Sequence, residues 1–129
     1  MAYSAEDEAK LALVRGMYRD VLFALDATRV DDYIAQDYIQ HSSLAEPGIE
    51  GLKAWLRVAK VESPDAHQTL HHLFVDGDHV IGHTHVVRWK GDRGAAVMDI
   101  YRIENGRIKE HWDVIQEIPE KPVNPTPMF

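Results

Sequence analysis

The chain has 129 residues, of which 45% are hydrophobic and 27% are charged, as expected for one soluble globular domain. Its formal net charge of -7, without any basic stretch, argues against nucleic acid and anionic membranes as partners. The chain contains no cysteine, which excludes disulfides and thiol catalysis, and no apolar run is long enough to span a membrane. Because the first residues are acidic and unlike a secretory signal, a cytoplasmic protein is expected.

Apolar residues at helical spacing dominate the first half of the chain. Ser4 followed by Asp7 predicts the start of a long helix, and Thr28 with Asp31 repeats the capping signal. The predicted elements are a helix over residues 5–25, a short helix after Thr28, a short strand over residues 37–41 (DYIQH) and a third helix over residues 49–60.

After Pro64 the pattern changes to that of strands separated by turns. Residues 76–78 (DGD), residues 91–94 (GDRG) and the Asn105-Gly106 pair are strong hairpin signals. The predicted strands cover about residues 67–75, 79–90, 95–104 and 107–118.

Helices followed by an antiparallel meander predict an α+β fold. The helices are expected to pack on one face of a curved sheet of four long strands and one short one, leaving a conical cavity. Residues 1–118 are predicted to form this domain. Residues 119–129 hold four of the six prolines, so they cannot form a helix or a central strand. This tail is expected either to be disordered or to lie across a neighbour, with Phe129 as an apolar anchor.

The last predicted strand carries the most suggestive pair of side chains. His111 and Asp113 are two residues apart, so both point to one side of the sheet, while Trp112 points to the other. A carboxylate and an imidazole on one face form a plausible acid/base pair. The alternative is a hydrogen-bonded core pair with no chemical role.

The residues that share this face depend on the hairpin at Asn105-Gly106. A two-residue turn pairs residue 104 with residue 107 and places Asp99 opposite Trp112. A three-residue loop pairs residue 103 with residue 107 and places Asp99 opposite His111. We favour the second register because it gathers the polar groups, so that Asp99, His111 and Asp113 share one face with Tyr101. The opposite face would carry Met98, Ile100, Trp112 and Val114.

At this point the sequence resembles a known family. Three stretches carry the resemblance: AVMDIYRIENGRIKEHWDVIQ at residues 96–116, DYIQH, and VDGDHVIGHTHV at residues 75–86. Together they are similar to the SnoaL-like proteins of the NTF2-like superfamily, which also includes ketosteroid isomerase and limonene epoxide hydrolase. The closest similarity is to the group described as SnoaL-like aldol-condensation enzymes, and it extends over nearly the whole chain.

The resemblance implies a cone-shaped fold, a homodimer formed through the outer sheet face, and no cofactor. In the polyketide cyclase that names the family, an Asp on the last strand is the acid/base of an intramolecular aldol closure. That Asp matches Asp113, and a family His two residues earlier matches His111. The chain departs from the cyclase at Asp99 and Val97, where the cyclase carries His and Gln.

Other polar and aromatic residues are candidates for contacts with a substrate. His83 and His85 share one face of their strand and would be substrate contacts if that face lined the cavity; otherwise they would be packing residues at its rim. With Asp99 or His111 they could form a two-His, one-carboxylate metal set, but nothing else supports a metal and none is expected. The remaining candidates are His41, which is preferred to its neighbour Gln40, and Tyr18, Trp55 and Tyr101.

Taken together, these features predict a small-molecule enzyme that transfers a proton next to a carbonyl, as in aldol cyclisation or double-bond isomerisation. Asp113 would accept the proton, His111 would polarise the substrate oxygen, and Asp99 would orient His111. One alternative is a non-catalytic module that binds a small apolar ligand in the same cone. Another is a metal-dependent enzyme that uses His83, His85 and a carboxylate.

Overall fold

A five-stranded curved sheet with helices packed on one side forms the molecule. The computed structural model describes residues 2–129. The helices are α1 (Ala5–Met17), which continues into a π-helical turn (Tyr18–Leu22), and α2 (Gly48–Glu62); a 3₁₀ turn (Ala27–Asp32) lies between them. The strands are β1 (Ile34–Gln40), β2 (His67–Asp76), β3 (His79–Val87), β4 (Ala95–Glu104) and β5 (Arg107–Glu117). Within residues 2–129 no helix has both the length and the apolar character needed to cross a membrane.

The sheet has the strand order β1-β5-β4-β3-β2, and it does not close into a barrel. Strands β2 to β5 are antiparallel neighbours, whereas β1 runs parallel to β5. The predicted α+β class with four long strands and a short one is therefore confirmed. The helices cover the inner face of the sheet and form a core with it, which includes Val14, Met17, Val21, Val30, Leu56, Val80 and Ile108.

Several predicted boundaries need correction. The first helical segment ends at Leu22 and not at residue 25, and β1 covers Ile34–Gln40 and not residues 37–41. The capping box of Ser4 and Asp7 at the start of α1 is confirmed. The second capping signal is wrong, because the side chain of Asp26, and not that of Thr28, accepts the backbone N–H at the start of the 3₁₀ turn. The third strand ends at Val87 and not at residue 90, since the Arg88 backbone N–H donates to the Asp92 carboxylate and closes a turn.

The hairpin between β4 and β5 combines features of both registers considered above. Its turn has two residues, with Asn105 and Gly106 at φ values of 51° and 72°, and Glu104 pairs with Arg107. The predicted three-residue loop is therefore wrong. However, Lys109 is an extra residue in β5, because Ile103 pairs with Ile108 but Arg102 pairs with Glu110.

This bulge changes which residues face each other across the two strands. Asp99 lies opposite Asp113, and Tyr101 lies opposite His111. The predicted pairing of Asp99 with His111 is wrong, because the partner of Asp99 lies two residues further along β5. The prediction that Asp99, Tyr101, His111 and Asp113 share one face is confirmed, because the extra residue restores the alternation.

A second bulge lies in β2. Leu70 pairs with Thr84 and His72 pairs with His83, which leaves His71 as the extra residue. The consequence is that His71 and His72 lie on the same side of the sheet, the side away from the helices. The tail, residues 119–129, contains no helix or strand, and the Phe129 ring stacks on the His71 ring at a centroid distance of 4.6 Å.

Candidate functional site

A cavity of about 130 Å³ lies between the inner face of the sheet, α2 and the loop after β1. At about 30 Å³ per water molecule, this volume corresponds to about four waters. Most of the wall is apolar, and the polar side chains are concentrated where β1, β4 and β5 meet. The apolar wall includes Leu22, Leu52, Trp55, Val97 and Ile115, and the polar part includes Gln40, Gln68, Thr84, Asp99, His111 and Asp113.

A chain of hydrogen bonds connects four side chains behind this polar end. The Tyr18 hydroxyl donates to Asp99 Oδ2 at 2.7 Å, and Asp99 Oδ1 lies 2.8 Å from His111 Nε2. His111 Nδ1 lies 2.7 Å from Gln40 Oε1, which also accepts the Ser42 backbone N–H at 3.1 Å. Because β1 is parallel to β5 and places Gln40 beside His111, the sheet itself aligns this chain.

Both ring nitrogens of His111 therefore face oxygen acceptors. The two contacts are satisfied together only when each nitrogen carries a hydrogen, which is the imidazolium form. In that form the ring pairs with Asp99, which is 5% exposed and also accepts the Tyr18 hydroxyl. The imidazole is thus held in one orientation, next to the cavity.

Asp113 differs from the other polar groups in the cavity. Its side chain is half-buried and lines the wall, yet no side chain or backbone N–H within residues 2–129 donates a hydrogen bond to it. One carboxylate oxygen lies within 4.8 Å of ligand atoms of both His111 and Asp99. Asp113 is therefore a carboxylate that is free to act on a molecule in the cavity.

Three tyrosines surround the inner end of the hydrogen-bonded chain. Burial, and then the negative charge of Asp99, raise the pKa of each hydroxyl: Tyr18, Tyr38 and Tyr101. All three therefore remain protonated donors throughout the neutral pH range. The Tyr101 ring stacks on the His111 ring at a centroid distance of 4.8 Å, and its hydroxyl is buried without a partner among the described residues.

Gly82 makes room for the contact between Tyr18 and Asp99. It pairs with Asp99 across β3 and β4, and a Cβ atom at Gly82 would lie 2.2 Å from the Tyr18 hydroxyl oxygen. A glycine within a strand is a sequence signal of such a close approach, although it does not identify the partner.

Replacing Gly82 with alanine is therefore expected to destabilise the protein by about 1–3 kcal/mol, because the buried Tyr18 ring must shift. The measurement is urea unfolding of Gly82→Ala, Tyr18→Phe and the double variant. Tyr18→Phe removes the nearest clashing atom. The losses of stability in the two single variants should therefore sum to more than the loss in the double variant. Simple additivity would show that Tyr18 is not the group that clashes.

The structure brings together most of the site residues predicted on β4 and β5. Asp99, Tyr101, His111 and Asp113 all line the cavity, and so do Gln40 and Trp55. Tyr18 is fully buried behind the wall and acts through Asp99 rather than as a surface of the cavity. Whether these residues bind or transform a substrate remains a prediction.

Three predicted contact residues lie elsewhere. His41 is on the opposite side of the sheet, where it stacks on Trp112 at 4.8 Å and contacts Glu110, so the preference for His41 over Gln40 is wrong. His83 and His85 also point away from the cavity, because the alternation of β3 turns Gly82 and Thr84 inward. Both contact the Phe129 ring instead.

This placement also bears on the predicted metal set. His83 and His85 do not converge with a carboxylate. Among the described residues, the group whose ligand atoms could hold a cation is Asp99, His111 and Asp113. A cation there would have to replace the hydrogen bond between Asp99 and His111, so the donor set fits the observed pair better than a metal.

Several cavity residues were not predicted. Tyr38 precedes Gln40 by two positions in β1, so strand alternation alone would have placed both on the same face. Gln68 and Thr84 lie on the inner faces of β2 and β3 and could have been found in the same way. Ser42, Leu44 and Ala45 follow β1 in a loop, and no periodic signal marks them as cavity residues.

Comparisons with known proteins agree with this architecture. Among curated proteins, no sequence matches this chain significantly. The structure of TsrD from Streptomyces laurentii matches with a TM-score of 0.66 and 23% identity, covering 88% of this chain and 91% of that one. A candidate SnoaL-like polyketide cyclase from Jannaschia sp. CCS1 matches with a TM-score of 0.72 and 15% identity, covering 89% and 90%.

A candidate ketosteroid isomerase from Kribbella flavida also has a TM-score of 0.72, with 20% identity over 92% of this chain and 86% of its own. The TM-scores of 0.66 to 0.72 show that these proteins share one fold with this chain. The sequence profile of the SnoaL-like domain matches residues 14–111, from the end of α1 to the histidine of the candidate site. The chain therefore belongs to the SnoaL-like domain family.

Proposed function

We propose that this protein is a cytoplasmic small-molecule enzyme in which Asp113 removes a proton from a carbon next to a carbonyl. Aldol cyclisation and double-bond isomerisation both begin with this step. The observation that carries the proposal is the unpaired carboxylate of Asp113 beside the imidazole of His111 in a largely apolar cavity. No cofactor takes part in this scheme.

The proposed role of His111 follows from its hydrogen bonds. Because both of its nitrogens already face acceptors, His111 contributes its positive charge and does not need to donate directly to the substrate oxygen. A positive charge held near the cavity stabilises the negative charge that develops on an enolate. Asp99 and Gln40 keep the ring in place, and Tyr18 keeps Asp99 in place.

Proton exchange tests this proposal without knowledge of the natural product. Uncharged ketones with acidic α-hydrogens, such as 2-tetralone, are incubated with the protein in D₂O, and deuterium uptake is followed by NMR. A panel of such ketones avoids dependence on one shape. Catalysed exchange above the buffer rate is expected for any member that binds with its α-carbon at Asp113.

The second candidate is a binding module that holds a small apolar ligand. The observation in its favour is that His111, Asp99 and Tyr18 are already bonded to one another, so that Asp113 alone is left to act on a ligand. Ketones that bind, by calorimetry, but show no exchange would support this candidate over the enzyme. A small molecule is the partner in either case.

We also propose that the protein is a homodimer formed through the outer face, which we define as the side of β2–β5 away from the helices. Large apolar residues there are exposed: Phe74, Met98, Ile100 and Val114. A patch of this kind on neighbouring strands favours association. Sedimentation equilibrium at pH 8 and micromolar concentration should give twice the chain mass, and a monomer would contradict the proposal.

A further inference from the structure

The outer face contains most of the histidines of this protein. Six of the eight make ring contacts there: His41, His71, His72, His79, His83 and His85. Two of the six are adjacent in the sequence and reach the same side only because of the bulge at His71. The proposed chemistry in the cavity uses none of them.

Four of these histidines form a compact group, which we call the histidine cluster: His71, His72, His83 and His85. The His72 and His83 rings stack across β2 and β3 at a centroid distance of 5.4 Å. The Phe129 ring contacts three histidines of the cluster. Its centroid lies 4.6 Å from that of His71, 5.2 Å from that of His83 and 4.7 Å from that of His85. Stacked rings at these distances are well packed while the imidazoles are neutral.

Protonation of the histidine cluster has no charge to offset it. On β2 and β3 its neighbours are Thr69, Phe74, Ile81 and the other histidines, and on β4 they are Ala96, Met98 and Ile100. From the loop after β3, the backbone carbonyl of Arg93 accepts a hydrogen bond from His85 Nε2 at 2.8 Å, so the charged residue of that loop that bonds to the cluster is a cation. Within residues 2–129, no carboxylate lies within 4.0 Å of an imidazole of the cluster, and this includes the terminal carboxylate of Phe129. Among the described residues, the histidines with a carboxylate oxygen within 4.0 Å are His41, beside Glu110, and His111, beside Asp99.

The charged side chains of the outer face lie towards its ends and include more carboxylates than cations, since Asp76 ends β2 and one arginine faces two glutamates. Towards one end of the sheet, Arg102 is paired with Glu110 at 2.8 Å and with Glu104 at 3.5 Å. The middle of the face therefore carries apolar side chains and imidazole rings, and none of the carboxylates that give the whole chain its formal charge of -7. A two-fold contact places the same patch on both partners, so a neutral patch is the kind that can face itself.

We propose that the outer face is an acid-sensitive self-association surface: two copies of this chain pair through it while the histidine cluster is neutral, and they separate when the cluster is protonated. This inference rests on the dimer proposed above and is independent of the chemistry in the cavity.

The direction of the pH effect on dimer formation follows from the linkage between proton binding and pairing. Burial, and then the neighbouring His72 and His71, lower the pKa of His83 below the ordinary value, so its charged form is already disfavoured in one chain. A second copy would bury the cluster further and bring an identical set of imidazoles close to it, which disfavours the charged form again. Proton binding and pairing therefore oppose each other: association is complete above pH 7 and is lost as the pH falls.

The test is sedimentation equilibrium of the wild-type protein between pH 8 and pH 5.5, with circular dichroism at each pH to follow folding. If pairing excludes two or more protons per dimer, the dissociation constant rises by about 100-fold or more for each pH unit below the histidine range. The part of the effect that is repulsion between charges is screened by salt, so 1 M NaCl at pH 5.5 should restore part of the dimer.

The variant His72→Gln/His83→Gln removes the stacked pair, and its dimer is expected to persist to a lower pH than that of the wild type. His67→Gln is the control, since His67 is exposed at the start of β2 and takes part in none of the ring contacts. If the double variant folds poorly, histidine titration of the wild-type protein by NMR replaces it. The histidine pKa values should then fall as the protein concentration rises.

The possible outcomes test the dimer and its acid sensitivity separately. A monomer at pH 8 overturns the dimer and this inference together, but leaves the proton-transfer proposal intact. A dimer that is equally stable at pH 8 and pH 5.5 leaves the dimer standing and overturns the acid sensitivity. Dissociation that accompanies loss of the circular dichroism signal indicates acid unfolding and also overturns it.

Discussion

Replacing Asp113 with asparagine is expected to reduce catalysed deuterium exchange into a bound ketone by roughly 100- to 10,000-fold, the usual contribution of a positioned general base. Asparagine has nearly the same size and shape as aspartate, but its amide cannot accept a proton at neutral pH. Because no described residue hydrogen-bonds to the Asp113 side chain, the substitution should leave the rest of the site undisturbed. The measurement is the initial rate of exchange, by NMR, at saturating ketone.

The control for this experiment is Asp65→Asn, which removes one carboxylate from an exposed turn whose residues 63–66 do not line the cavity. Its exchange rate should equal that of the wild type. Calorimetry of the ketone with Asp113→Asn should show that binding persists. If Asp113→Asn retains the wild-type rate, Asp113 is not the base and the assignment of the catalytic residue fails.

Replacing Asp99 with alanine is expected to lower the free energy of unfolding by about 3–5 kcal/mol, the cost of removing one partner from a buried ion pair. The carboxylate of Asp99 accepts contacts from both Tyr18 and His111, and all three side chains are buried. Its loss leaves a hydroxyl and an imidazole without acceptors in the core. Against a typical stability of about 5–15 kcal/mol for a domain, the effect is large.

Urea unfolding at neutral pH measures this loss, and two variants calibrate it. Asp99→Asn keeps one acceptor oxygen and should cost less than alanine. Tyr18→Phe removes one hydrogen bond to a charged group and should cost about 1.5–3 kcal/mol. The exposed control Asp65→Ala should change stability by less than about 0.5 kcal/mol. An Asp99→Ala protein as stable as that control would show that the buried chain does not support the fold.

Asp113→Asn and Asp99→Ala also separate the effect on catalysis from the effect on stability. Asp113→Asn should change exchange but hardly change stability, whereas Asp99→Ala should change stability first. This division follows from their surroundings, because Asp113 borders the cavity without a protein partner and Asp99 lies behind it with two.

Periodicity was a reliable guide to which residues face the cavity on β4 and β5. Spacing of two placed His111 and Asp113 together and put Trp112 on the other side, and the structure agrees. The register was harder, because Asn105-Gly106 is compatible with more than one turn and Lys109 adds an extra residue later in the strand. The bulge cancelled the error in the turn, so the face was correct although the pairing was not.

The histidines show where alternation fails. His71 and His72 are adjacent, so simple alternation would place them on opposite faces, but the bulge at His71 turns both outward. For His83 and His85 alternation held, yet nothing in β3 alone shows which of its two faces meets the helices. That choice depends on Tyr18, which needs the space above Gly82 to reach Asp99.

The amino-acid sequence by itself determined the elements and their order, because capping residues, turn residues and apolar periodicity act over a few neighbouring positions. It also determined that Asp99 shares a face with Tyr101 and that His111 shares a face with Asp113, whereas the bulge at Lys109 brings these two pairs to the same face of the sheet. Only the tertiary structure decided that β1 lies parallel to β5 and so brings Gln40 to His111, that Tyr18 reaches Asp99, and that Phe129 packs on the histidine cluster. These contacts join residues that are 44 to 81 positions apart in the sequence. They depend on the packing of the whole chain, so patterns over a few neighbouring residues cannot predict them.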